Sequence, residues 1–185
     1  MTDQNQFLER ILRALDQVEI PYMISGSVGS SFHGRPRATN DTDIVIDPTA
    51  EQITAFLESL GPEYYASRQA ALQAVENNSM FNVIHIQFGF KADLIIRKKR
   101  PFSRQEFDRR IRANFLGIDV YILSPEDSIL SKLEWSKGRH SEPQFADALG
   151  VLRLQKEKLD FDYLKKWAKE LGVAEALQRL IEEVN

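Results

Sequence analysis

Apolar residues recur at helical spacing from Phe7 through Leu8, Ile11, Leu12, Leu15 and Val18, with Glu9, Arg10, Arg13 and Asp16 between them. This pattern predicts an amphipathic first helix that ends before Pro21. The period then shortens. Tyr22-Met23-Ile24 is a brief apolar run, the small residues of Ser25 to Ser31 interrupt it, and a second run, Ile44-Val45-Ile46, follows Asp41 and Asp43. A strand, a tight Gly/Ser turn, a short helix and a second strand account for that order. Asp47-Pro48 reads as the next helix start, with Asp47 as cap and Pro48 in the first turn. Ile53, Phe56, Leu57 and Leu60 form the buried side of that helix, which stops at Gly61-Pro62. A further helix is expected over 65–75. Met80 to Phe88 is strand-like, and Gly89 turns it back into Lys91 to Arg97 as a hairpin. Ser103 to Glu106 has capping-box spacing and opens a helix to about Ala113, and Phe115 to Leu123 reads as a strand.

Ser124-Pro125-Glu126-Asp127 starts another helix, with Ser124 as N-cap and acids in the first turn. Beyond it the spacing is helical throughout, in Ile129-Leu130-Leu133, Phe145-Ala146-Leu149-Leu152, Leu164-Trp167-Leu171 and Leu177-Leu180-Ile181. Phe161, Tyr163, Trp167 and Trp135 fall at these spacings and are expected to pack between helices. The fold class is therefore α/β (α+β): a mixed, strand-bearing domain over 1–123 and a helical C-terminal region over 124–185 packed on it. No repeat or low-complexity linker divides the two.

Composition narrows the choice of function. The 185 residues carry a net charge of −3, so the chain as a whole is no polycation for nucleic acid. It has no cysteine, which removes disulfides, thiolate metal sites and cysteine nucleophiles together. No basic segment followed by an apolar block opens the chain, and no apolar run has the length of a membrane span, so a soluble cytoplasmic protein without membrane contact is expected.

The candidate chemistry lies in Asp41-Thr42-Asp43. Strand side chains two apart share a face, so the two carboxylates project together, a costly arrangement unless a cation neutralises it. Hard oxygen donors suit Mg2+ or Mn2+. Upstream, Gly26 lets the backbone approach a ligand closely. Ser27 offers a hydroxyl and an N–H at the start of a helix, a seat for phosphate. Asp93, isolated between Ala92 and Leu94-Ile95-Ile96, is poorly explained by solubility alone.

Gly26-Ser27 followed by Asp41-Thr-Asp43 between apolar residues resembles the signature of the DNA polymerase beta-like nucleotidyltransferase superfamily. Arg37-Ala-Thr39-Asn-Asp41-Thr-Asp43 is similar to its small bacterial members, related to AbiEii-type toxins and antibiotic nucleotidyltransferases. The resemblance implies a nucleotidyltransferase fold with a small mixed twisted sheet flanked by helices. It also implies transfer of a nucleoside monophosphate from a nucleoside triphosphate to an RNA or small-molecule hydroxyl. It assigns Asp41, Asp43 and Asp93 as catalytic metal ligands, and Gly26, Ser27, Arg37 and Lys132 as nucleotide contacts. A toxin-like role implies an antitoxin protein as partner. The toxin relatives carry Lys-Asp where this chain has Ser141-Glu142, and this departure keeps open an alternative, an inactive scaffold serving interaction in a two-gene module. His33 reads as a turn or surface residue. The basic run Arg97-Lys98-Lys99-Arg100 with Arg104, Arg109, Arg110 and Arg112 is either a solvated face or a funnel for triphosphate or RNA.

Overall fold

A computed structural model describes residues 4–36, 39, 41–137 and 142–184. In chain order the elements are α1 (Gln4–Gln17), β1 (Tyr22–Ile24), α2 (Gly26–His33), β2 (Asp41–Ile46), α3 (Ala50–Ser59), β3 (Tyr64–Tyr65), α4 (Arg68–Asn77), β4 (Met80–His85), β5 (Lys91–Ile96), α5 (Pro101–Asp108), β6 (Ile111–Phe115), β7 (Ile118–Ile122), α6 (Pro125–Trp135), α7 (Glu142–Gln155), α8 (Phe161–Glu170) and α9 (Ala174–Glu182). They form two compact units. One comprises Met1–Ile24 with Thr39–Ile122, the other Ser25–Ala38 with Leu123–Asn185.

The seven strands among the described residues belong to the first unit and form one mixed sheet in the order β3-β4-β5-β2-β1-β7-β6. β2 runs parallel to β5 and β1 parallel to β7; the remaining neighbours are antiparallel. Ile44 and Ile46 of β2 lie across from Leu94 and Ile96 of β5, and Phe81 of β4 lies across from Leu94, so their buried side chains make one apolar face. Helices supply the second layer of the core. α1 buries Phe7, Leu8, Ile11, Leu12 and Leu15, and Phe7 meets the rings of Tyr64 and Phe90. Gln52 of α3 donates to the carbonyls of Val18 and Glu19, tying α3 to the turn that ends α1.

Several boundaries differ from those expected. The cap of α3 is Thr49, whose hydroxyl accepts from Gln52 N while the Gln52 side chain accepts from Thr49 N; Asp47 is drawn off into an ion pair with Arg97 at 2.8 Å. Tyr64 and Tyr65 form the short edge strand β3 rather than the start of a helix, pairing with His85 and Ile84. α5 begins at Pro101 with Arg100 as cap, so Ser103 lies inside it. The helix ends at Asp108 because Ile111–Phe115 pairs with Ile118–Ile122 as a hairpin.

The second unit is helical. Ser124 caps α6 as expected, its hydroxyl accepting from Asp127 N. The fully buried Asp127 carboxylate accepts from the hydroxyls of Ser124 (2.8 Å) and Tyr163 (2.6 Å). α2 lies so close to α7 that a Cβ on Gly34 would stand 2.8 Å from Val151 N. Trp167 is buried, whereas Trp135, expected to pack, is 70% exposed at the last residue of α6. Among the described residues no helix is long and apolar enough to cross a membrane.

Candidate active site

The alternation along β2 leaves Asp41, Asp43 and Val45 partly exposed while Thr42, Ile44 and Ile46 are buried. Residues directly paired across a sheet share a face. The parallel register sets Asp43 against Asp93 and Asp41 against Lys91, so all three aspartates stand on the face opposite the apolar one. On the far side of β5, Asn82 of β4 is the partner of Asp93.

The side chains follow this register. Lys91 Nζ lies 3.2 Å from Asp41 Oδ2 and 3.3 Å from Asp93 Oδ1. Asn82 Nδ2 donates to the same Oδ1 of Asp93. Asp93 is the most enclosed of these three aspartates, 8% exposed. Burial pulls the Lys91 ammonium down, but its hydrogen bonds to Asp41 and Asp93 and the charges of both outweigh that, and its pKa is raised above the usual lysine value. Behind Asp41, the Thr39 hydroxyl donates to the Asp41 carbonyl at 3.1 Å, and Gln4 Nε2 donates to the Thr39 carbonyl at 2.9 Å.

The donor chemistry of this face fits a hard divalent cation, because three carboxylates with oxygen ligands stand on one side of two adjacent strands. Among the described residues, however, no three carboxylate or imidazole groups close around a point where a metal would sit. The ammonium of Lys91 stands between two of the acids instead. Lys91 and Asn82 were not singled out from the sequence. The signal for Lys91 is its period-two spacing from Asp93; for Asn82 it is a polar residue between Phe81 and Val83 in a strand.

Of the other expected contacts, Gly26, Ser27 and Lys132 belong to the second unit. Gly26 and Ser27 open α2 in the second unit, where Gly26 has φ +58° and the Ser27 carbonyl accepts from the Ser30 hydroxyl at 3.2 Å. Lys132, in the same unit, is 5% exposed and its ammonium pairs with Asp147 at 2.8 Å. Arg37, and the segment 138–141 that includes Ser141, fall outside the described residues. His33 is not a surface residue: it is 5% exposed and its Nε2–H donates to the Leu123 carbonyl at 2.7 Å. Burial lowers its pKa, more than the hydrogen bond to Leu123 and the charge of Glu126 raise it.

The basic run starts four residues past Asp93, about 13 Å along an extended strand, and much of it is engaged. Arg97 pairs with Asp47 and Arg112 with Asp119 at 3.3 Å. Arg100 Nε donates to Ser103. Arg110 lies 4.4 Å from the Phe107 ring centre and 5.2 Å from that of Tyr121.

At the level of sequence, no protein-family model and no curated protein matches the chain. Solved structures do resemble it. An antigenic nucleotidyltransferase-like protein from Paracoccidioides brasiliensis is similar at TM-score 0.64 and 19% identity, over 97% of this chain and 88% of that one. ANT(2")-Ia in complex with adenylyl-2"-tobramycin is similar at TM-score 0.58 and 17% identity, over 96% and 99%. Lincomycin-bound LnuA, a lincosamide antibiotic adenylyltransferase, is similar at TM-score 0.51 and 14% identity, over 82% and 98%. The chain has the nucleotidyltransferase fold.

Proposed function

We propose that this protein is a metal-dependent nucleotidyltransferase that moves a nucleoside monophosphate from a nucleoside triphosphate to a hydroxyl of a small organic acceptor. The observation that carries this reading is the register Asp43 to Asp93, with Asp41 on the same face, in a sheet of nucleotidyltransferase fold. In the reaction the acceptor hydroxyl oxygen bonds to the α-phosphorus, the bond from that phosphorus to the bridging oxygen breaks, and pyrophosphate leaves. Asp41, Asp43 and Asp93 would hold Mg2+ or Mn2+, which when bound lowers the pKa of the attacking hydroxyl and offsets the charge on the leaving pyrophosphate. Asp93 takes the hydroxyl proton. Its Oδ1 is held by Asn82, which leaves Oδ2 to accept.

Two observations support a small acceptor over RNA. Arg97, Arg100, Arg110 and Arg112 are occupied by carboxylates, a hydroxyl and rings. ANT(2")-Ia and LnuA, which share the fold, were solved with a tobramycin adduct and with lincomycin. The bridging Lys91 favours a second reading, an inactive scaffold used for protein interaction, since an ammonium already neutralises part of the acid face.

The deciding experiment incubates the purified chain with each α-labelled triphosphate, Mg2+ and, separately, aminoglycosides, lincosamides and total RNA. Label entering a small-molecule fraction with the wild type and not with Asp43→Asn is the expected result. Label in RNA alone redirects the acceptor, and no label in any fraction supports the inactive scaffold.

A further inference from the structure

We propose that Lys91 is a built-in counter-ion of the acid face: it holds Asp41 and Asp93 until a divalent ion displaces it, and then turns to the triphosphate, so that metal and nucleotide bind cooperatively. This inference rests on the nucleotidyltransferase reading above. Its basis is position. Lys91 is two residues from Asp93 on the same strand and directly across from Asp41, so one side chain reaches both acids, at 3.3 and 3.2 Å.

A cation drawn by Asp41 and Asp93 must first displace this ammonium, and the loss of two charged contacts weakens metal binding in the absence of nucleotide. Lys91 is partly exposed, so its long stem can swing outward without unpacking the core. An incoming polyphosphate gives the displaced ammonium a new anionic partner, and the cost of displacement falls. Coupling of this kind is reciprocal: the triphosphate tightens the metal by the factor by which the metal tightens the triphosphate. An uncharged residue at position 91 would bind metal alone more readily and lose most of that coupling.

The test uses the full chain and Mn2+ as probe, with free and bound ion distinguished by electron paramagnetic resonance. Wild type, Lys91→Met, Asp43→Asn and Lys99→Met are titrated with and without a non-hydrolysable triphosphate. Lys99→Met removes an ammonium beyond the end of the same strand and controls for net charge. Lys91→Met is expected to bind Mn2+ alone on the order of tenfold more tightly than wild type, as the removal of a close competing charge predicts. Lys99→Met is expected to stay within about twofold, since a distant exposed charge is screened. Triphosphate is expected to tighten Mn2+ in the wild type by several-fold more than in Lys91→Met. If Lys91→Met binds no more tightly than Lys99→Met, or the triphosphate effect survives in it unchanged, the counter-ion role is wrong and the enzyme reading stands. If neither wild type nor Lys91→Met binds Mn2+ in a manner that Asp43→Asn abolishes, the metal-dependent reading falls and takes the inference with it. Lys91→Arg, which keeps the charge, separates loss of the cation from loss of fold: it should titrate like wild type, while Lys91→Met should keep the wild-type circular dichroism spectrum.

Discussion

Asp93 receives an amide from Asn82 and an ammonium from Lys91 on one carboxylate oxygen, so its orientation is fixed by neighbours on its own and the adjacent strand. With Asp93 as the proton acceptor proposed above, Asn82 would be a positioning residue. Asn82→Ala should lower kcat about tenfold through misorientation of Asp93 and leave KM for the triphosphate within about twofold, a split that steady-state kinetics reads directly. On the same proposed mechanism, Asp43→Asn should lower kcat by a thousandfold or so while the circular dichroism spectrum stays unchanged, because a neutral amide would take away one of the proposed anionic metal ligands without a change of volume. His33 offers a prediction of a different kind. Burial holds its pKa below the ordinary 6.5, so the unfolded chain takes up a proton more readily than the folded one. Its contribution to stability is complete above about pH 6.5 and declines as the pH falls from there towards the folded pKa. Melting temperatures across pH 7.5 to 5.5 should fall more steeply for the wild type than for His33→Gln, whose amide can still donate to Leu123 and does not titrate.

Among the elements, helix starts and close approaches set the sensitive positions. Thr49→Ala should destabilise the fold by about 1 kcal/mol in urea unfolding, since the capping box at α3 loses its hydroxyl acceptor. Asp47→Ala should leave α3 intact, because Asp47 serves Arg97 and not the helix. Such differences show where the sequence was legible. Amphipathic periodicity located α1, α3 and α6, and the polar-apolar alternation located β2, because in each the buried side repeats over several turns or residues. The misread segments were those where local and tertiary preferences disagreed. Tyr64-Tyr65 is too short to show a period and becomes a strand only by pairing with β4. Ile111 to Ala113 looked like the tail of a helix and is pulled into a hairpin by β7. At the acid face, the shared side of Asp41 and Asp43 followed from spacing alone. The partnership with Asp93, Lys91 and Asn82 depended on strand register, which pairs residues distant in the chain and leaves no local trace.

For the whole molecule, ligand binding and stability are linked. If metal and triphosphate bind only the folded chain, a triphosphate with Mg2+ at a hundred times its Kd should add about 2.7 kcal/mol to unfolding free energy, and neither component alone should match it. A thermal melt against ligand concentration checks this. The helical unit draws its members from two distant parts of the chain, α2 early and α6 to α9 late. His33 bonds to Leu123, its carbonyl accepts from Gln155, and Gly34 lies against the α7 backbone. During synthesis, α2 leaves the ribosome well before any of those partners exist, and an eight-residue helix is too short to persist in water by itself. The nascent chain thus carries α2 without its full set of partners until translation has passed Gln155.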